Sequence, residues 1–167
     1  MSELDELINY THHLLFDYHK ASQTLDYLKS RISTNAIEKY SFGYFPQLSE
    51  FSLFNNYVKH LQKLSLYFDS SNPEVKSKFL YFENYQMILP YQDLYSSNIG
   101  IVGRTLLPDN IQKELGVSKY KNTKFSKSSN LFNLNFEFDN IINNDYVIIT
   151  EGQFDAIKAS DLGIPCV

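Results

Sequence analysis

The stretch Tyr146-Val-Ile-Ile-Thr150-Glu151-Gly152-Gln-Phe-Asp155-Ala-Ile157 reads as a strand turning into a helix. Residues 146–150 are a short apolar run of the kind buried in a parallel sheet. Phe154 to Leu162 then follows helical spacing, Gly163 suits the C-cap, and Ile164-Pro-Cys-Val167 resumes strand character. In a parallel sheet the chemically useful crevice lies beyond the carboxyl ends of the strands, and Glu151 follows directly on such an end. Gly152 lets the backbone turn closely there. Asp155 comes one helical turn later, so its carboxylate can approach the same region. Two carboxylates so placed can contribute to a divalent-cation site, because Mg²⁺ takes a few hard oxygen ligands and leaves room for phosphate oxygens. The same spacing also fits two acids that merely favour a helix N-terminus. Spacing alone leaves both readings open.

Upstream, the periodicity predicts an α+β chain. Leu4, Leu7, Ile8, Leu14, Leu15 and Tyr18 form one apolar stripe, predicting a helix from residue 3 to about 20. Ser22 is placed to cap a second helix holding Leu25, Tyr27 and Leu28. Asn35 with Glu38 has capping-box spacing for a third, ending near Gly43, and Pro46 closes that segment. Phe54, Tyr57, Val58, Leu61, Leu64 and Phe68 predict a longer helix from about 50 to 68, followed by the polar break Ser70-Ser-Asn-Pro73. Apolar runs at 79–82, 86–91 and 99–102 read as strands, with Ser96-Ser97-Asn98 as a hairpin turn. Residues 108–130 read as a polar connection and 137–145 as an acidic, Asn-rich loop. The change of texture places a boundary near 140. The expected organisation is an N-terminal amphipathic helix (1–20), a helical and β-hairpin subdomain (21–140) and a strand–helix–strand unit (141–167). No internal repeat is visible.

Composition narrows the function classes. The chain has 167 residues, 43% hydrophobic and 16% aromatic, enough for a real core. A single cysteine, Cys166, excludes an internal disulfide and any multi-cysteine zinc site within these residues, and points to a reducing compartment. The acidic start Met-Ser-Glu-Leu-Asp-Glu is unlike a signal peptide, and no apolar run approaches the roughly 20 residues of a membrane span, so a soluble, unexported protein is expected. The net charge of −4 argues against nucleic-acid binding as an average. Its distribution does not: Lys113, Lys119, Lys121, Lys124 and Lys127 stand against Glu114 alone, whereas 137–155 carries Glu137, Asp139, Asp145, Glu151 and Asp155 with no base. Neighbouring basic and acidic regions suit an enzyme that holds both a polyanion and divalent cations. The lysine run also fits a solvated loop, and Arg104 a surface ion pair. His12, His13 and His19 do not share a helix face as metal ligands would, and nothing near Cys166 would activate a thiol.

Four blocks in order resemble one family. Ile149-Thr-Glu151-Gly152-Gln-Phe-Asp155-Ala resembles the first motif of the Toprim fold in bacterial-type (DnaG-like) DNA primases. Tyr27-Leu-Lys-Ser-Arg31 through Gly43-Tyr-Phe-Pro46 resembles the opening of their polymerase core. Ile88-Leu-Pro90-Tyr-Gln-Asp93 with Ile99-Gly100-Ile-Val-Gly103-Arg104 resembles the core hairpin ending in Gly-Arg. Lys119-Tyr120-Lys-Asn122, Phe125-Ser-Lys127 and Leu131-Phe-Asn-Leu134 resemble the basic block before Toprim.

The resemblance implies a primase-core N-terminal subdomain followed by an incomplete α/β Toprim unit, and template-directed joining of ribonucleoside triphosphates into RNA primers on single-stranded DNA. It implies catalytic, metal-binding roles for Glu151 and Asp155 with Mg²⁺ or Mn²⁺. It assigns Arg104, Lys119, Tyr120, Asn122 and Lys127 to the template and nucleotide groove. A replicative helicase is the implied partner, and the cytoplasm or an organelle interior the implied location. Asn84, Gln86 and Gln92 stand where the family usually has basic residues, so a weaker groove is expected. The second acidic motif of Toprim, Asp-x-Asp, would lie beyond Val167. The chain is therefore expected to be inactive alone, as a fragment or as one half completed by a chain carrying the rest of Toprim. The alternatives are a non-catalytic nucleic-acid-binding or assembly module derived from a primase, and a piece of another Toprim protein such as a primase–helicase or small nuclease.

Overall fold

The computed structural model describes residues 1–69 and 77–167. Helix α1 spans Glu3–Asp17 and starts with a capping box: the Ser2 hydroxyl accepts from Asp5 N at 3.2 Å, and the Asp5 carboxylate accepts from Ser2 N at 3.0 Å. Its buried stripe is Leu7, Ile8, Thr11 and Leu15. The helix is shorter than its apolar stripe predicts, because a 3-10 turn at His19–Ala21 separates it from α2, Ser22–Lys29. Ser22 is not the cap: Ala21 precedes the helix already in helical conformation, so the turn feeds straight into it. Helix α3 is Thr34–Lys39, and Ser33, rather than Asn35, caps it by accepting from Ala36 N at 3.0 Å. Glu38 instead reaches His12, 3.1 Å away.

Strand β1 is Gly43–Tyr44. The long helix predicted over 50–68 is broken into a 3-10 segment at Leu48–Phe54, helix α4 at Val58–Lys63 and strand β2 at Tyr67–Phe68. Leu48, Phe51, Phe54 and Tyr57 recur every third residue, which matches the three residues per turn of a 3-10 helix. Ser65, with φ +58°, then ends α4. The expected break at Ser70–Pro73 falls outside the described residues.

Strands β3 (Phe79–Leu80), β4 (Met87–Gln92) and β5 (Asn98–Arg104) lie close to the apolar runs; Asn98, expected in the turn, opens β5, and Asp93 Oδ1 closes the β4–β5 turn by accepting from Tyr95 N and Ser97 N. The connection 108–130 is more structured than its polarity suggests, holding α5 (Asp109–Leu115) and β6 (Tyr120–Asn122). The segment 137–145 is not a loop. It belongs to α6, Leu134–Asn144, which runs through position 140. Asn and Asp are weak helix formers, so this helix depends on tertiary contacts. Phe136 packs edge-on to Tyr40 with centroids 4.9 Å apart, and buried Glu137 meets Lys39 at 3.8 Å and the Ser160 hydroxyl. Helix α7, Gln153–Asp161, ends in a Schellman arrangement: Gly163, at φ +74°, donates to Ser160 O, and Ile164 N donates to Ala159 O.

The main sheet has the order β1-β4-β5-β6, all neighbours antiparallel, and β2 pairs with β3. Its two faces bury two separate cores, as strand alternation dictates. One face, with Tyr44, Met87, Leu89, Tyr91 and Val102, packs against Leu15, Leu28, Ile37 and, from α7, Phe154 and Ile157. The other, with Ile88 and Ile101, packs against Leu7, Ile8, Phe45, Phe54, Leu61 and Phe82. Residues 146–150 do bridge in parallel to the chain end at Ile148 and Cys166, but Tyr146, Val147, Ile148 and Ile149 are exposed rather than buried. Among the described residues no helix is long and apolar enough to cross a membrane.

Candidate nucleic-acid interface

Strand β6 is an edge strand paired to β5 in the register Val102–Asn122, Gly103–Lys121 and Arg104–Tyr120. Alternation sends Tyr120 and Asn122 to the α7 side of the sheet. There they line a cleft of about 360 Å³ together with Val102, Lys127, Phe132, Thr150, Glu151 and Gly152. The cleft thus brings the basic segment against the strand-to-helix turn that carries the acids. Of the residues singled out from sequence, Tyr120, Asn122, Lys127 and Glu151 share it.

The others stand around it. Asp155 is exposed on the first turn of α7 and folds back over Gly152, where an added Cβ would meet its Oδ2 at 2.8 Å. Glu151 is exposed at the turn itself. Arg104 lies behind the cleft, its guanidinium 5.1 Å from the Tyr27 ring centroid, 5.0 Å from Tyr120 and 5.7 Å from Phe154, and it donates to the Tyr120 hydroxyl. It is no surface ion pair. Its Nε is buried without a partner, as is Asn122 Oδ1. Lys119 is exposed, its carbonyl accepting from Thr105 N at 3.2 Å. Lys127 is exposed as a whole, but its ammonium stands 5.8 Å over the Phe125 ring, and partial desolvation there lowers its pKa from the ordinary lysine value.

Sequence reasoning passed over Arg31. It is exposed, yet its guanidinium sits 5.7 Å over the same Phe154 ring that Arg104 faces, so two cations converge beside the acidic turn. The signal was its place in the first primase-like block, but a lone arginine in a helical region carries no mark of its partner. Tyr91 and Asn130, joined by a 2.7 Å hydrogen bond from the Tyr91 hydroxyl, also line the cleft and were unmarked. His12 is structural: its ring nitrogens face Phe42 O at 2.6 Å and Glu38 at 3.1 Å. Among the described residues no three His, Cys, Asp or Glu side chains group as metal ligands. Glu151 and Asp155 are hard oxygen donors and fit a divalent cation as part of a ligand set, not as a closed one.

The chain is similar to a DNA primase of Chlamydia pneumoniae, 31% identical over 153 residues, covering 91% of this chain and 25% of the relative. A structure of Aquifex aeolicus primase comprising its zinc-binding and RNA polymerase domains superposes with a TM-score of 0.75 at 24% identity, over 97% of this chain and 39% of that one. A DnaG primase catalytic domain bound to single-stranded DNA superposes with a TM-score of 0.69 at 20% identity, over 97% of this chain and 50% of that one. The chain spans about a quarter of the length of the curated relatives it matches. The profile described as DNA primase catalytic core, N-terminal domain, matches residues 10–137, most of the mixed helix-and-sheet body that holds β6 and its cleft, and the chain belongs to that family.

Proposed function

We propose that this chain supplies the template- and nucleotide-facing wall of a primase active site. The observation that carries this reading is the single cleft in which Tyr120, Asn122 and Lys127 face Glu151. A Tyr ring can stack on a base, Lys127 can neutralise a phosphate, and Asn122 Oδ1, buried and unpartnered, can accept a hydrogen bond from a bound nucleotide. Arg104 and Arg31 add positive charge against the Phe154 ring. One of the solved relatives is a primase domain bound to single-stranded DNA, which supports a like ligand here.

In the reaction assigned to the whole enzyme, a ribonucleotide 3′-hydroxyl attacks an incoming triphosphate and pyrophosphate leaves. Mg²⁺ or Mn²⁺ would supply charge stabilisation for that displacement. Glu151 and Asp155 are the residues of this chain that would help hold it, within the Toprim unit expected over 141–167. The cations of the cleft hold template and triphosphate in place. A replicative helicase and a place in the cytoplasm, or in an organelle interior, follow by family. The test is primer synthesis by this polypeptide alone on a single-stranded template with Mg²⁺ or Mn²⁺, beside fluorescence anisotropy with single-stranded DNA. Weak binding without product is expected; robust product would overturn the expectation that further carboxylates are required.

One observation favours a second reading, a non-catalytic binding module: the two acids are exposed, and among the described residues no third ligand joins them. Glu151→Gln separates the two. In a primase completed by the rest of Toprim it abolishes synthesis and spares binding, whereas a binding module is indifferent to it.

A further inference from the structure

Lys121 lies between Tyr120 and Asn122 in the lysine-rich segment, yet alternation turns it to the opposite face of the sheet. Its cross-strand partner is Gly103, where an added Cβ would meet the Phe82 ring at 2.5 Å and Tyr85 Cβ at 3.1 Å. The missing side chain lets the Tyr81–Tyr85 segment lie flat on the strands. Into the space beside it goes the Lys121 ammonium, 4.1 Å from the Tyr81 ring centroid, 5.6 Å from Phe79 and 5.7 Å from Tyr85. Burial lowers its pKa from the ordinary lysine value.

The same segment binds the free edge of β6. The Tyr81 hydroxyl donates to Asn122 O at 2.6 Å, Ser118 Oγ donates to Tyr120 O at 2.7 Å, and Tyr85 Oη is 3.1 Å from Ser118 Oγ. A three-residue edge strand paired on one side otherwise has little to fix its twist and register.

We propose that Lys121 is a positioning residue and not a phosphate ligand: held among Phe79, Tyr81 and Tyr85, it locks β6 so that Tyr120 and Asn122 face the cleft. The proposal rests on the reading of Tyr120 and Asn122 as nucleic-acid-facing. Its structural half can be measured without any ligand.

The experiment compares the wild type with Lys121→Ala, Lys121→Arg and Lys127→Ala. Hydrogen exchange is followed at Thr123 N, which donates to Ile101 O at 2.9 Å just beyond β6. Loss of the caged cation should speed exchange there roughly fivefold or more, and Lys121→Arg, which keeps the cation over the rings, should restore protection. Unchanged protection in Lys121→Ala overturns the proposal. Affinity for an oligothymidylate is then measured across a salt series. Lys121→Ala should weaken binding by a similar factor at every salt concentration, leaving the slope of log affinity on log salt unchanged, while Lys127→Ala should flatten it by roughly 0.7. A flattened slope in Lys121→Ala would make Lys121 a phosphate contact and overturn the proposal. If the wild type binds no oligonucleotide, the groove reading fails, while the exchange result still decides whether Lys121 locks β6.

Discussion

The two faces of the central sheet follow different rules. The face toward α1, α4 and the β2–β3 pair is closed by apolar and aromatic side chains, with Phe45, Phe54, Phe82 and Leu61 fully buried. The face toward α2, α3 and α7 is equally apolar near β1 and β4, but toward β6 it opens into a cleft edged with Tyr120, Asn122, Lys127 and Glu151. Cations occur at the β6 edge of both faces. On the closed side Lys121 is held by rings; on the open side Arg104 is stacked while Lys127 stays exposed. Residue type is therefore a poor guide to role along this strand, because one step in sequence changes the face and, with it, the job.

The largest break in this comparison comes from Phe82→Ala on the closed face. It removes a fully buried ring that packs at 5.3 Å against Phe45 and should cost about 3–5 kcal/mol in urea unfolding. Gly103→Ala should cost about 1–3 kcal/mol, since its Cβ would press on the Phe82 ring and on Tyr85 where little can yield. Gly100→Ala is its counterpart on the open face. There the Cβ would meet the half-buried Phe125 ring at 2.2 Å and the Thr123 Oγ1, itself accepting from Ile101 N, at 2.8 Å, so a loss of about 1–3 kcal/mol is expected here too, with weakened binding of single-stranded DNA.

A pH measurement sharpens the contrast further. Burial pushes the Tyr40 hydroxyl up to about 12, with the hydrogen bond to Ser160 opposing. Its folded value lies above that of the unfolded chain, so its contribution is complete below about pH 10 and is lost as pH rises toward 12. Unfolding free energy should fall over that window, and Tyr40→Phe should make the fall shallower. The smallest effect on stability is expected from Lys127→Ala, within about 0.5 kcal/mol, since it is exposed; its mark is on the salt dependence of binding.

Much of the fold was legible. Strands β4 and β5 are continuous apolar runs separated by polar turn residues, and α1 carries a clear apolar stripe. The misreadings have two causes: local composition stands for local structure where distant contacts decide, and a period of three is close enough to 3.6 to pass for it. Asn-rich α6 is helical because Phe136 and Glu137 find Tyr40, Lys39 and Ser160. The aromatic run at 48–57 carries a period of three that was read as one of 3.6. For the cleft, sequence marked the acids and the basic segment. It could not show that Arg31 and Arg104 converge on Phe154, or that Lys121 faces away, since both depend on which strands pair.

Asn133 meets several demands at once. It takes φ +71° just before α6, its Oδ1 accepts from the Tyr40 hydroxyl at 2.6 Å, and its Nδ2 donates to Cys166 O at 2.8 Å. Asp would keep the acceptor and set a carboxylate against a carbonyl; Gly would keep the backbone and lose both bonds; Ser and Gln fit the left-handed conformation poorly. Position 133 is thus a mutational bottleneck. Among chains that keep this joint between Tyr40 and the parallel bridge, substitution should be scarcer here than at any of the exposed lysines nearby.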